Sequence, residues 1–207
     1  MSLIERFVEC FNVWEEARPY IEVMVEEDEM RLIVGIEGEE ITVAGAAELL
    51  GLAPEQAKAL LERAYQRGVL HRRREGEGTI YAPADFYTRL DFFVRAGAWK
   101  SLPAQAHRAL DRRYLREFIE KKRPALEQRM LGEGPTEGLH NDAVLLLSDV
   151  EKMIEAAGEI IVLPCDCRLL GERSDRPIEV SIWMDDLARE MLYRVHGRRL
   201  TREQARD

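Results

Sequence analysis

Two cysteines one residue apart, Cys165 and Cys167, are the best-placed side chains for chemistry in this 207-residue chain. They follow Ile160-Ile161-Val162-Leu163-Pro164, a continuous apolar run of the kind that forms a buried strand. Two thiolates at that spacing can hold one soft metal ion or two corners of an iron–sulfur cluster when further ligands join them. They can also act as a redox pair. Arg168, the next residue, is expected to favour the thiolate. The alternative is two small, reduced, inert side chains at a strand end, and the C-x-C spacing alone leaves both readings open. Cys10 is the third and last cysteine, so four thiolates cannot come from one chain. A mixed site would need Cys10, His107, His140 or His196, or ligands shared between two chains.

A second constellation is basic. Residues 54–74 hold 6 basic and 2 acidic side chains, whereas residues 1–53 hold 3 basic and 13 acidic ones, within a net charge of −9. Lys58, Arg63 and Arg67 fall on one predicted helix, and His71-Arg72-Arg73-Arg74 precede the turn Glu75–Gly78. In a helix-turn-helix with a wing, such residues grip phosphates. Glu55, Glu62, Glu75 and Glu77 lie among them and would oppose a polyanion. The bland reading is a solvated charged face. The acidic run Glu26-Glu27-Asp28-Glu29 has no D-x-D-x-D-G pattern and reads as a helix start favoured by the macrodipole. No G-x-S-x-G, H-E-x-x-H, Walker or G-x-G-x-x-G pattern is present, so a non-enzymatic role is expected.

These side chains need elements to hold them. Apolar spacing predicts a helix from Leu3 to about Arg18, ended by Pro19, then a short strand over Tyr20–Val25. A helix is expected over Asp28–Gly35 and another over Ala44–Leu50, stopped by Gly51. Pro54 opens a helix to about Gln66, and Gly68 stops it. Strands at Val69–His71 and Thr79–Tyr81 make a hairpin. Phe86–Val94 is an aromatic-rich helix, and a longer one runs from Ala104 until Pro124 kinks or ends it. Gly132–Gly138 reads as a linker. Beyond it, Ser148 and Glu151 predict a capped helix, followed by the strand before the cysteines. A second strand over Glu179–Met184, a helix over Asp185–Val195 and a capping box at Thr201–Gln204 complete the chain.

Helix, tight turn, helix and hairpin over residues 28–82 resemble a winged helix-turn-helix. The stretch Ile160–Leu200 resembles a family of bacterial and archaeal iron–sulfur proteins of the 4Fe-4S ferredoxin type. The matching residues are Cys165, Cys167, Arg168, Pro177 and Glu179, then Gly197, Arg198, Leu200 and Thr201. That family carries a winged-helix-like N-terminal region and a segment of the form C-x-C-R, short loop, C-x-x-P-x-x-x-C. Here Ser174 and Ser181 stand at the third and fourth cysteine positions, and the tandem-cysteine ferredoxin module is missing. Serine is a poor cluster ligand.

The expectation is an α+β protein in three parts. These are a winged-helix-like domain (1–100), a helical connection (101–135) and a small α/β domain bearing the C-x-C motif (136–207). The leading function is an accessory or regulatory protein related to iron–sulfur proteins, holding an iron–sulfur cluster, zinc or no metal. Its partner would be a redox or iron–sulfur protein. The rivals are a regulator of duplex DNA and an interaction scaffold that has lost its cluster. No apolar run approaches the roughly 18 residues that span a bilayer. An odd cysteine count and no basic leader point to the cytoplasm. Phe7, Phe11 and Trp14 on the first helix suggest a homodimer contact.

Overall fold

The computed structural model describes residues 1–76, 78–130, 146–171 and 175–207. Among these residues, helices mix with two small antiparallel sheets, an α+β architecture. Helix α1 (Leu3–Cys10) starts at a reciprocal capping box between Ser2 and Glu5. It stops eight residues short of the expected end, where Asn12 takes a left-handed conformation (φ 50°). Phe7, Phe11 and Trp14 then turn into the chain's own core, so they are not available as a dimer contact.

Tyr20–Met24 is helical, and Val25 alone is extended. Pro19 lies inside a 3-10 turn, Arg18–Tyr20, that leads straight into α2 (Ile21–Met24). A proline in a first turn loses no hydrogen bond, so it opens this helix instead of ending the previous one. Burial decides the period: Ile21 is 2% exposed, Met24 0% and Val23 51%. A strand would have put Ile21 and Val23 on one face.

Helix α3 (Glu27–Ile36) leads to Ile41, then to α4 (Val43–Leu50), capped by the Thr42 side chain and ended by Gly51 at φ 64°. Helix α5 (Pro54–Gln66) buries Ala57, Leu60, Leu61, Ala64 and Tyr65 along one face. Strands β1 (Leu70–Glu75) and β2 (Gly78–Pro83) pair from Leu70↔Pro83 to Glu75↔Gly78. Ile41 adds a third rung, exchanging both backbone hydrogen bonds with Tyr81 at 2.8 and 2.9 Å.

Helix α6 (Phe86–Arg95), capped by Asp85, is followed by α7 (Ala104–Glu117). Pro124 does not end the long helical run. One π turn, Phe118–Lys122, precedes it, and α8 (Arg123–Met130) continues. A wider turn displaces the carbonyl that a proline ring would otherwise strike four residues back. The expected linker and the boundary near 132–142 lie outside the described residues.

Helix α9 (Leu147–Ala156) begins one residue before Ser148, which therefore sits inside the first turn and caps nothing. Strand β3 (Ile160–Pro164) is central in a sheet of order β4-β3-β5, antiparallel to β4 (Glu179–Met184) and to the two-residue β5 (Arg198–Arg199). Between them come α10 (Asp166–Gly171) and α11 (Asp185–Arg194), and α12 (Arg202–Arg206) closes the chain behind the Thr201–Gln204 box. Both faces of β3 are covered. Ile161 and Leu163 pack on α6 and α11, while Ile160 packs on α9 and α12. Two residues cross over: Phe92 of α6 joins the Ile161–Leu163 cluster, and Leu170 of α10 joins the large N-terminal core.

Candidate metal centre

The end of β3 delivers Cys165 to the edge of the sheet, where its N–H donates to the Ile178 carbonyl at 2.8 Å. Its own carbonyl accepts from Leu169 N–H and so starts α10. This strand-to-helix corner brings one ligand atom each from Cys165, Asp166 and Cys167 within 4.8 Å of one another. Donors on a tetrahedral zinc at about 2.3 Å stand roughly 3.8 Å apart, so the group needs to close by about an ångström or less. Cys165 and Asp166 are half-buried and Cys167 is exposed.

The carboxylate is fixed from both sides. Arg95 of α6 lies 3.2 Å from Asp166 Oδ1 and also donates to the Pro164 carbonyl at 3.3 Å. The Tyr114 hydroxyl of α7 donates to Oδ2 at 3.2 Å, and its ring stacks on Tyr87 with centroids 4.2 Å apart. Asp91 of α6 also hydrogen-bonds Asp166, while its own Oδ1 is buried with no partner. Two touching carboxyls must share a proton. Burial first, then the negative charge of Asp166, raises Asp91 well above the usual carboxylate range.

The thiol side differs from the sequence expectation. Arg168 donates to the Pro177 carbonyl in the facing loop and does not activate a thiolate. Partial burial, then the charges of Asp166, Cys165 and Asp91, pushes the Cys167 thiol up to about 12. Metal-free Cys167 is therefore a poor nucleophile at neutral pH. A cation would reverse this, since its charge favours thiolate and carboxylate together. Two soft sulfurs with a hard oxygen suit zinc or ferrous iron.

Other predicted ligands lie elsewhere. Cys10 is exposed at the end of α1, and His107 stacks on Trp99 with Nε2 2.8 Å from the Trp99 carbonyl oxygen. His196 lines a cavity beside α11. His140 and Ser174 lie outside the described residues, and Ser181 sits opposite Leu163 on β4. Asp91, Arg95, Tyr87 and Tyr114 were missed by sequence reasoning. The one signal was a carboxylate set between apolar residues in Arg89-Leu90-Asp91-Phe92-Phe93.

Most of the predicted phosphate contacts are engaged internally. Arg63 pairs with Glu26 and Asp28, and Arg67 with Glu26 and Glu29. Arg72 pairs with Glu62 at 2.8 Å and lies over the Tyr65 and Tyr193 rings. Arg73 pairs with Glu40 and Glu75. Burial holds the His71 pKa down, so it adds no charge to the wing at neutral pH. Lys58 and Arg74 are exposed.

No protein-family model, no curated protein and no solved structure matches the chain. No helix among the described residues is long and apolar enough to cross a membrane.

Proposed function

We propose that this chain is a non-enzymatic accessory or regulatory protein whose thiol–carboxylate corner takes up one transition-metal ion and so reports metal or redox state. The observation that carries this reading is the convergence of Cys165, Asp166 and Cys167 donor atoms within 4.8 Å. The buried, unpartnered oxygen of Asp91 beside them supports it. With two cysteines and a carboxylate among the donors, a single zinc or ferrous ion fits better than a four-thiolate cluster. Cys165, Cys167 and Asp166 would hold the ion, and Asp91 is next in line.

The order α3, Ile41 rung, α4, α5, hairpin supports a winged helix as the N-terminal unit. Its arginines are largely neutralised by carboxylates, which favours contact with a protein over contact with DNA. The duplex-DNA reading remains the rival, resting on Lys58 and Arg74. A salt-dependent shift assay separates the two: binding to duplex DNA that weakens in Arg74→Ala would favour the rival.

Anaerobic titration with cobalt(II) tests the metal reading. One equivalent should produce thiolate-to-cobalt absorption, absent in Cys167→Ser, and zinc should displace it. The proton that Cys167 must lose contributes by itself about a tenfold rise in affinity per pH unit below its pKa. A colourless titration, or an unchanged band in Cys167→Ser, overturns the reading.

A further inference from the structure

The thiol–carboxylate corner borders a groove of about 380 Å³, where α10 packs on α7. Cys167 and Arg168 line one side, and Tyr114, Leu115 and Phe118 the other. Cys165 and Asp166 are half-buried and Cys167 is exposed, so an ion held by the three is reached from outside at Cys167. A tetrahedral site needs four ligands, and the corner supplies three. Asp91 could fill the fourth place only by giving up the proton it shares with Asp166.

The groove runs onto an apolar strip that faces solvent. Leu115, Phe118 and Ile119 are 47, 38 and 45% exposed, at the i, i+3, i+4 spacing of one helical face. An exposed apolar strip beside an incomplete ligand set marks a contact surface. The strip is also self-complementary. Antiparallel pairing of two such helices about Glu117 sets Leu115 against Ile119 of the other copy, since 115 and 119 are equidistant from 117. The same pairing brings Arg116, an exposed cation, within a helical turn of the other copy's exposed Glu120. Both contacts then occur twice across a two-fold axis.

We infer that two copies of this chain close over their metal corners, strip against strip, and that Cys167 of each copy supplies the fourth ligand to the other's ion. The inference rests on the metal reading. Cys167 is the donor that can reach across, because it is exposed and lines the groove that adjoins the strip. Its thiolate sulfur has lone pairs for two ions, and its proton leaves to solvent when the metal binds. Metal uptake is thereby coupled to assembly: one ion per chain, two chains per assembly.

Anaerobic sedimentation velocity of the full chain tests it, with cobalt(II) as the probe and absorption followed in the same cell. The chain should be monomeric with a chelator present, when a net charge of −9 per copy opposes association, and dimeric once one equivalent of cobalt is bound. Leu115→Glu combined with Ile119→Glu alters exposed positions alone and keeps the fold. It should weaken the cobalt-bound dimer by about a hundredfold or more, tenfold for each apolar side chain lost from the contact. Thiolate-to-cobalt absorption from a chain that stays monomeric overturns the proposal and leaves the metal reading standing, since Asp91 or water then fills the fourth place. No absorption at all removes both. A dimer that forms without metal, or one that the two glutamates leave intact, also overturns the proposal.

Discussion

Asp91 sits on the face that α6 turns toward the cysteine corner, with one carboxyl oxygen buried and unpartnered. Its raised pKa has a direct consequence for stability. Above about pH 4 the unfolded chain ionises this aspartate, while the folded chain keeps it protonated against Asp166. The folded state then binds the extra proton. Stability falls by about 1.4 kcal/mol per pH unit until the folded group also ionises. Asp91→Asn removes that loss. It should be more stable than the parent at pH 7 and the two should converge near pH 4, measured by urea unfolding across pH. A less stable Asp91→Asn at pH 7 would contradict the buried-proton account. The cysteines of this corner were readable because they are neighbours in the chain. Asp91, Arg95 and Tyr114 were not, because only packing of α6 and α7 brings them to residues some 50 to 75 positions away. The thiol's raised pKa was likewise unreadable, since Arg168 turns to a backbone carbonyl that spacing cannot predict.

Elements with a strong period were legible. Helix α5 runs over the span that Pro54 and its apolar face predicted, and β4 likewise over Glu179–Met184. Strand β3 is buried on both faces, as its unbroken apolar run implied. Failures came where one residue had two uses. Pro19 reads as a stop and Pro124 as a kink or a stop, yet the first opens a helix and the second is absorbed by a π turn. Tyr20–Val25 is β-branched in part, but Ile21 and Met24 share a helical face, and core burial outweighed propensity. Gly68 is the tightest of these joints. It lies at φ 76°, and a Cβ there would come 2.5 Å from Phe92 Cδ2. Phe92 cannot retreat easily, because Arg194 covers its ring. Gly68→Ala therefore combines left-handed strain with overpacking and should cost about 2–4 kcal/mol, read as a lowered midpoint in chemical denaturation. A loss under about 1 kcal/mol would mean that the ring moves freely.

At the scale of the molecule, the N-terminal and C-terminal parts trade side chains. Phe92 completes the cluster around Ile161 and Leu163, and Leu170 completes the core around Leu110 and Tyr114. Tyr65 and Glu190, and Tyr193 and Glu62, tie the same parts together at 2.6 and 2.7 Å. Unfolding should therefore be one cooperative event. Native-state hydrogen exchange should give the Leu32 and Ile161 amides the same opening free energy, and a difference above about 2 kcal/mol would show two independent units. The reciprocal loan of Phe92 and Leu170 also means that a cut in the stretch 131–145 would not release two free-standing proteins. Each fragment would carry the plug for the other's socket, so a nicked chain should stay associated and two separately made pieces should find one another.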